Sequence, residues 1–250
     1  ITVMPMFNQM GLIGCGLMGG SLALALKQAG LVRSVVGFSQ SPSSSAKALA
    51  LGVIDQQALA AGEVAKGSDL IVLAMPVAAT ANTLALLKPQ LEAHTLIVDL
   101  GSTKESVVQA AEQALAEKAS QFVGCHPMAG AEKSGVEHAY AQLYARCQVL
   151  ITPAPSSQPE RLAQARQLWE ALGCKVVSLS PTDHDRALAK VSHLPHLLAF
   201  AFINGLLGKA DSSLALALAG TGFKDFSRIA ASEPHMWRDI LLANREPILN

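Results

Sequence analysis

Short apolar runs at Met10–Ile13, Val35–Phe38, Leu70–Ala74, Thr95–Leu100 and Gln121–Gly124 alternate with helical patterns at Gly19–Ala29, Ser44–Leu51, Ala79–Leu87 and Lys104–Ala119. Strands alternating with helices imply right-handed βαβ crossovers and a mostly parallel sheet covered on both faces. A further strand at Gln148–Pro153, a helix at Pro159–Leu172 and a strand at Lys175–Leu179 complete this part, with Gly173 placed to end the helix. The pattern changes near Pro181, beyond which only helix-like stretches follow. The reading is therefore an α/β domain over 1–180 and an all-helical domain over 181–250. His196–Leu207 is apolar on nearly every face, which places it inside the helical domain or at a subunit interface. Pro195 should start or kink that helix.

Composition narrows the function classes. Half of the 250 residues are hydrophobic and 15% are charged, enough apolar material for a sizeable core. Nineteen basic residues balance nineteen acidic ones, so no basic excess favours nucleic acid or an anionic membrane surface. No apolar run reaches the ~18 residues a membrane span needs. The first positive charge is Lys27, so the early apolar stretch does not read as a secretory signal. Cys15, Cys125, Cys147 and Cys174 show no C-x-x-C spacing and suggest neither a zinc site nor a disulfide framework. A cytoplasmic protein is the expectation.

The segment GCGLMG, Gly14 to Gly19, follows the first strand and opens a helix. Gly14 permits a tight turn, Gly16 lets backbone approach a pyrophosphate, and Gly19 allows close helix–strand packing. The new helix offers unpaired N–H groups and the positive end of its dipole, with Leu17 and Met18 in its first turn. Beyond the fourth run, Met75 and Pro76 fall where a cofactor would also pass. An NAD site commonly presents a carboxylate at the end of the second strand, some 20 residues past the last glycine. Here Phe38 is followed by Ser39, Gln40 and Ser41, with no acid. Serine and glutamine can donate to a 2′-phosphate that a carboxylate would repel, so the loop favours NADP over NAD, although it holds no arginine.

Three clusters are denser in functional side chains than a scaffold requires. VDLGSTK (Val98–Lys104) and GCHPMAGAEKSG (Gly124–Gly135) lie just past strand ends, where open α/β sheets bind ligands. SHLPH (Ser192–His196) and GTGFKDFSRIA (Gly220–Ala230) lie in the helical part. Together with SEPHMWRDILLANR (Ser232–Arg245), these ordered motifs resemble the prephenate/arogenate dehydrogenase family of tyrosine biosynthesis over almost the whole chain. The resemblance implies a Rossmann-type domain followed by a helical domain that forms a homodimer. The implied reaction is oxidative decarboxylation of a cyclohexadienol with hydride transfer to a nicotinamide. It does not separate prephenate from arogenate.

By the same resemblance His126 is the catalytic histidine, suited near neutrality to take the ring hydroxyl's proton. Ser102 would hydrogen-bond this region and approach the nicotinamide, although it could equally cap a helix beginning at Lys104. Arg228 would bind a substrate carboxylate through its guanidinium fork, against the blander reading of a surface salt bridge. His193 would line the substrate pocket, with His196 serving structure. Glu132 and Lys133 lie beyond His126: Glu132 is open between gating and an ion pair, and Lys133 reads as solvated. Trp237 matches a tryptophan near the pocket mouth. Lys224 stands where many relatives carry arginine, replacing a fork with a point charge. Relatives usually continue past the position of Asn250 with more dimer-forming helix, part of which the resemblance leaves outside this sequence. A 3-hydroxyacid dehydrogenase is the enzymatic alternative, with Lys190 or Lys209 as its lysine. A dinucleotide-binding dimer without chemistry is the other.

Overall fold

A computed structural model describes residues 4–131 and 133–250. The chain divides into two compact units, Ile1–His184 and Asp185–Asn250. In the first, eight strands run β1 (Phe7–Ile13), β2 (Val32–Phe38), β3 (Gln56–Gln57), β4 (Leu70–Leu73), β5 (Leu96–Asp99), β6 (Phe122–Pro127), β7 (Gln148–Thr152) and β8 (Lys175–Ser178). Five helices accompany them: α1 (Leu17–Gln28), α2 (Pro42–Ala50), α3 (Thr80–Leu87), α4 (Glu105–Leu115) and α5 (Pro159–Ala171). The two-residue β3 is too short for hydrophobic periodicity to mark.

The strands form one sheet in the order β3-β2-β1-β4-β5-β6-β7-β8. Pairing is parallel from β3 across to β6, antiparallel between β6 and β7, and parallel again between β7 and β8. The order reverses between β1 and β4, which opens the crevice where such sheets take ligands. Strands β4 and β5 are buried at every position because helices cover both faces, so they read as continuous apolar runs rather than alternation. Successive residues serve opposite faces. Leu70 and Val72 pack with Leu22 and Leu26 of α1, while Ile71 and Leu73 pack with Leu84 of α3 and Val107 of α4. Gly173, at φ +82°, ends α5 in the left-handed conformation that glycine adopts without strain.

Helix α6 (Pro181–Leu188) runs from the first unit into the second. A π-helical turn at Ala189–His193 follows, then α7 (Leu194–Leu207), α8 (Ser212–Ala217), α9 (Thr221–Arg228), α10 (Pro234–Ala243) and α11 (Arg245–Leu249). Pro195 stands at the start of α7, directly after the π turn, where a wider turn absorbs the missing N–H. Burial of α7 inside the helical unit is not what the fold shows. Of its 14 residues only Ala199 is buried, and Leu198, Phe202 and Leu207 face solvent in the isolated chain. No helix among the described residues is long and apolar enough to cross a membrane.

Candidate active site

Parallel pairing brings the functional segments of the first unit to one edge of the sheet. The glycine turn follows β1, Ser39–Ser41 follow β2, Met75 and Pro76 follow β4, Ser102 follows β5, and His126 lies at the end of β6. In the turn, Gly14 has φ +94°, and a Cβ there would stand 2.3 Å from the Ala74 carbonyl oxygen. Gly19 lets α1 cross close to β1, since a Cβ on it would stand 2.4 Å from the Gly14 carbonyl oxygen. Gly16 differs, because a Cβ there would meet nothing within 4 Å. Packing therefore gives no reason for its missing side chain. It also caps α1 with no side-chain hydrogen bond, so the first-turn N–H groups remain for an anion. An open cradle at a helix N-terminus fits the pyrophosphate of a dinucleotide.

The loop after β2 departs from expectation. Ser39 is buried, and its hydroxyl accepts the Cys15 N–H at 2.9 Å, bracing the glycine turn from beneath. Of the three polar residues, Gln40 and Ser41 are exposed.

Ser102 and His126 occupy neighbouring strand ends joined by a buried brace. Asp99 closes β5, and its Oδ2 accepts the Gly101 N–H and an ion-pair hydrogen bond from Lys104 Nζ. Its Oδ1 accepts the Cys125 N–H at 2.9 Å, one residue before His126. Asp99 and Lys104 are almost wholly shielded from water, so one carboxylate ties the Ser102 loop to the His126 strand. Helix α4 starts at Glu105 with Lys104 as its N-cap, and no side chain caps it. The capping alternative for Ser102 is thereby removed, and its half-buried hydroxyl remains at the sheet edge.

His126 is itself buried, 8% exposed, and its Nδ1 lies 2.8 Å from Nε2 of His184. His184 reaches this position because the Ser180 hydroxyl caps α6 through the Asp183 N–H at 3.0 Å, with Pro181 opening the helix. The rings meet edge-on with centroids 5.0 Å apart. Such a contact orients the His126 ring. Burial, reinforced by the Asp99 carboxylate, pushes the neighbouring Cys125 thiol up to about 12 and keeps it protonated near neutrality.

Sequence reasoning missed His184 and the Asp99–Lys104 pair. Both aspartate and lysine lie inside VDLGSTK, where a buried lysine was the available signal. Nothing in PTDHD distinguishes His184 from a helix-surface histidine. Glu132 lies outside the described residues, and Lys133 is exposed.

In the second unit, His193 is buried on the π turn, and its Nδ1 lies 2.9 Å from Nδ2 of Asn244. Asn244 Nδ2 also donates to the Asp185 carbonyl at 2.8 Å. An amide nitrogen only donates, so His193 Nδ1 accepts and Nε2 carries the proton. His196 stacks on Trp237 at 3.5 Å, and burial holds its pKa below the usual histidine value. Trp237 is buried and lines a groove of about 350 Å³ between α7 and α10, with Phe200 and Leu241. Lys224 and Arg228 lie one turn apart on α9, both exposed, and neither forms an ion pair among the described residues. The salt-bridge reading of Arg228 is thereby set aside. Two cations at i and i+4 make a face suited to carboxylates.

Strand order, the open glycine cradle and the buried histidine at the sheet edge define a nucleotide-binding α/β domain joined to a helical unit. The sequence gives the particular lineage. Residues 22–178 match the model of the prephenate dehydrogenase nucleotide-binding domain, and residues 180–250 match that of the prephenate dehydrogenase dimerization domain. The chain belongs to the prephenate dehydrogenase family. It is 37% identical over 241 residues to prephenate dehydrogenase of Bacillus subtilis, covering 96% of this chain and 65% of that protein. It is 32% identical over 248 residues to cyclohexadienyl dehydrogenase of Zymomonas mobilis, covering 98% of this chain and 84% of that one. Among solved structures, prephenate dehydrogenase from A. aeolicus in complex with hydroxyphenyl propionate and NAD+ superposes with a TM-score of 0.90 at 37% identity. That match covers 97% of this chain and 84% of the other.

Proposed function

We propose that this protein oxidises and decarboxylates prephenate, arogenate or both, forming 4-hydroxyphenylpyruvate or tyrosine, as a cytoplasmic homodimer that favours NADP over NAD. The observation that carries the reading is buried His126, held by His184 on the sheet edge that also bears the glycine turn and the Ser102 loop. The hydroxyphenyl propionate in the A. aeolicus relative is a phenol bearing a short acid chain, the kind of product an aromatising oxidation releases.

A bound nicotinamide supplies the hydride acceptor. His126 takes the proton of the ring hydroxyl as hydride leaves that carbon, which makes it the general base. With Nδ1 in contact with His184, Nε2 is the nitrogen that would take the proton, and in that tautomer Nδ1–H faces His184 Nε2. Ser102 adds a hydrogen bond beside the reacting carbon. Within the helical unit, Arg228, with Lys224 one turn away, offers charge-assisted bonds to a carboxylate. Loss of carbon dioxide from the opposite ring carbon yields a phenol, and aromatisation drives the reaction forward. The cofactor preference rests on exposed Gln40 and Ser41 and on the absence of a carboxylate across Phe38–Ser41. The homodimer rests on the exposed apolar face of α7.

The test is reduced-nicotinamide formation with prephenate or arogenate against NAD or NADP, alongside His126→Asn. Turnover that disappears in the variant supports the reaction and identifies both specificities. Dinucleotide binding without turnover on either substrate overturns it.

A further inference from the structure

Cys147 and Cys174 are 27 positions apart in sequence and adjacent in space, with Sγ atoms 3.7 Å apart. They stand one position ahead of the paired register of β7 and β8, which begins at Gln148 and Lys175. The Lys175 N–H donates to the Cys147 carbonyl at 2.9 Å, so the two chains are already locked side by side there. Neighbouring strands are ~4.8 Å apart, within the Cα separation that a disulfide spans. All four cysteines are free thiols, but the other two have no such neighbour: Cys15 and Cys125 are buried singly. Cys147 is half-exposed and Cys174 is buried beneath it. The Cys147 thiol contacts Cys174 Sγ, and that contact holds Cys147 below its ordinary value and raises Cys174.

We propose that Cys147 and Cys174 form a reversible dithiol–disulfide pair, a redox modification site on the β7–β8 edge that small-molecule disulfides close. The accessible Cys147 thiolate attacks one sulfur of a disulfide RSSR, giving a Cys147–S–S–R mixed disulfide and expelling RS⁻. Cys174 then loses its proton and attacks the Cys147 sulfur, expelling the second RS⁻. The protein gives up two electrons and two protons, and the oxidant leaves as two RSH. The bridge closes a loop from the start of β7 to the start of β8. That loop contains α5, whose Trp169 packs edge-on against Tyr144. Tyr144 in turn receives the Cys174 S–H at its carbonyl and donates its hydroxyl to the Met18 carbonyl in the first turn of α1. Oxidation therefore acts on a segment hydrogen-bonded to the glycine-turn helix.

The test incubates the full native chain with oxidised glutathione, follows intact mass, and maps cross-linked peptides under non-reducing conditions. The expected product has lost two hydrogens, contains a Cys147–Cys174 peptide, reverts with dithiothreitol, and melts several degrees higher than the reduced form. Cys147→Ser and Cys174→Ser should each abolish the bridge, whereas Cys15→Ser should form it as the wild type does. A mixed disulfide that persists on Cys147, or no reaction at either thiol, would overturn the proposal. So would a bridge that lowers the melting temperature, since that link would form only in opened chains.

Discussion

The two units dispose of their apolar residues in opposite ways. In the first, Leu12, Leu22, Val72, Val98 and Trp169 are buried in a sheet covered on both faces. In the second, Leu198, Phe202, Leu207, Leu214 and Leu218 are all exposed, on helices with similar apolar content. A doubly covered sheet finishes its own core, whereas short helices around one apolar segment leave apolar side chains open in the isolated chain. Of the candidate groups in the first unit, His126 is buried against His184, whereas Gln40 and Ser41 are exposed. Those of the second are braced at His193 and Trp237 but open to solvent at Lys224 and Arg228.

The largest expected effect falls on the braced side. His126→Asn should reduce turnover by ~10²–10⁴-fold while leaving dinucleotide affinity intact, as measured by steady-state rates and nucleotide titration. An equal loss in both would make His126 a structural residue and erase the distinction drawn for the first unit. Breaking the brace itself comes next. Asp99→Leu removes one partner of a buried ion pair and should cost about 3–5 kcal/mol in denaturant unfolding, with Lys104→Met on the same chain recovering part of it.

On the open side, Phe202→Lys should weaken self-association by about 2 kcal/mol in sedimentation equilibrium. The same replacement at Leu51, an exposed residue of the first unit, should change stability by less than about 0.5 kcal/mol. Similar behaviour at the two positions would dissolve the contrast. Gly16→Val fills space that packing leaves empty, so dinucleotide affinity should fall by about tenfold with an unchanged melting temperature.

The smallest effect concerns the start of α10. The Glu233 carboxylate accepts the Met236 and His235 N–H groups, and these bonds hold its pKa below the usual carboxylate range. Its contribution is present above the ordinary glutamate value and is lost as pH falls through the lowered one. Glu233→Ala should cost about 0.5–1 kcal/mol near neutrality and nothing in acid, by thermal melts across pH.

Much of the first unit was legible because its signals are local. Buried parallel strands such as Leu70–Leu73 read as unbroken apolar runs, and the glycine turn declares itself by spacing. The tiny β3 carries no periodicity and was not visible. Of the two places expected for α7, inside the helical unit or at a subunit interface, the first is not what the fold shows, because an all-round apolar pattern says that a helix is covered, not by what. At the site, His126 and Ser102 stood out through their motifs, but the partner of His126 depended on packing. His184 is 58 positions from His126 and meets it only because α6 starts where it does. Ser39 read as a donor to cofactor; the close approach of β2 to the glycine turn also makes its buried oxygen the acceptor of the Cys15 N–H.

The sequence by itself determined the alternation of strands and helices, the turn that can face a pyrophosphate, and the residue types available for proton transfer and carboxylate binding. These depend on the conformational reach of each residue and on periodicity along the chain. Tertiary structure alone decided which groups touch: Asp99 with Lys104 and the Cys125 N–H, His126 with His184, Cys147 with Cys174. Each contact joins side chains or backbone from separate elements, so its distance is set by strand order and helix placement rather than by position in sequence.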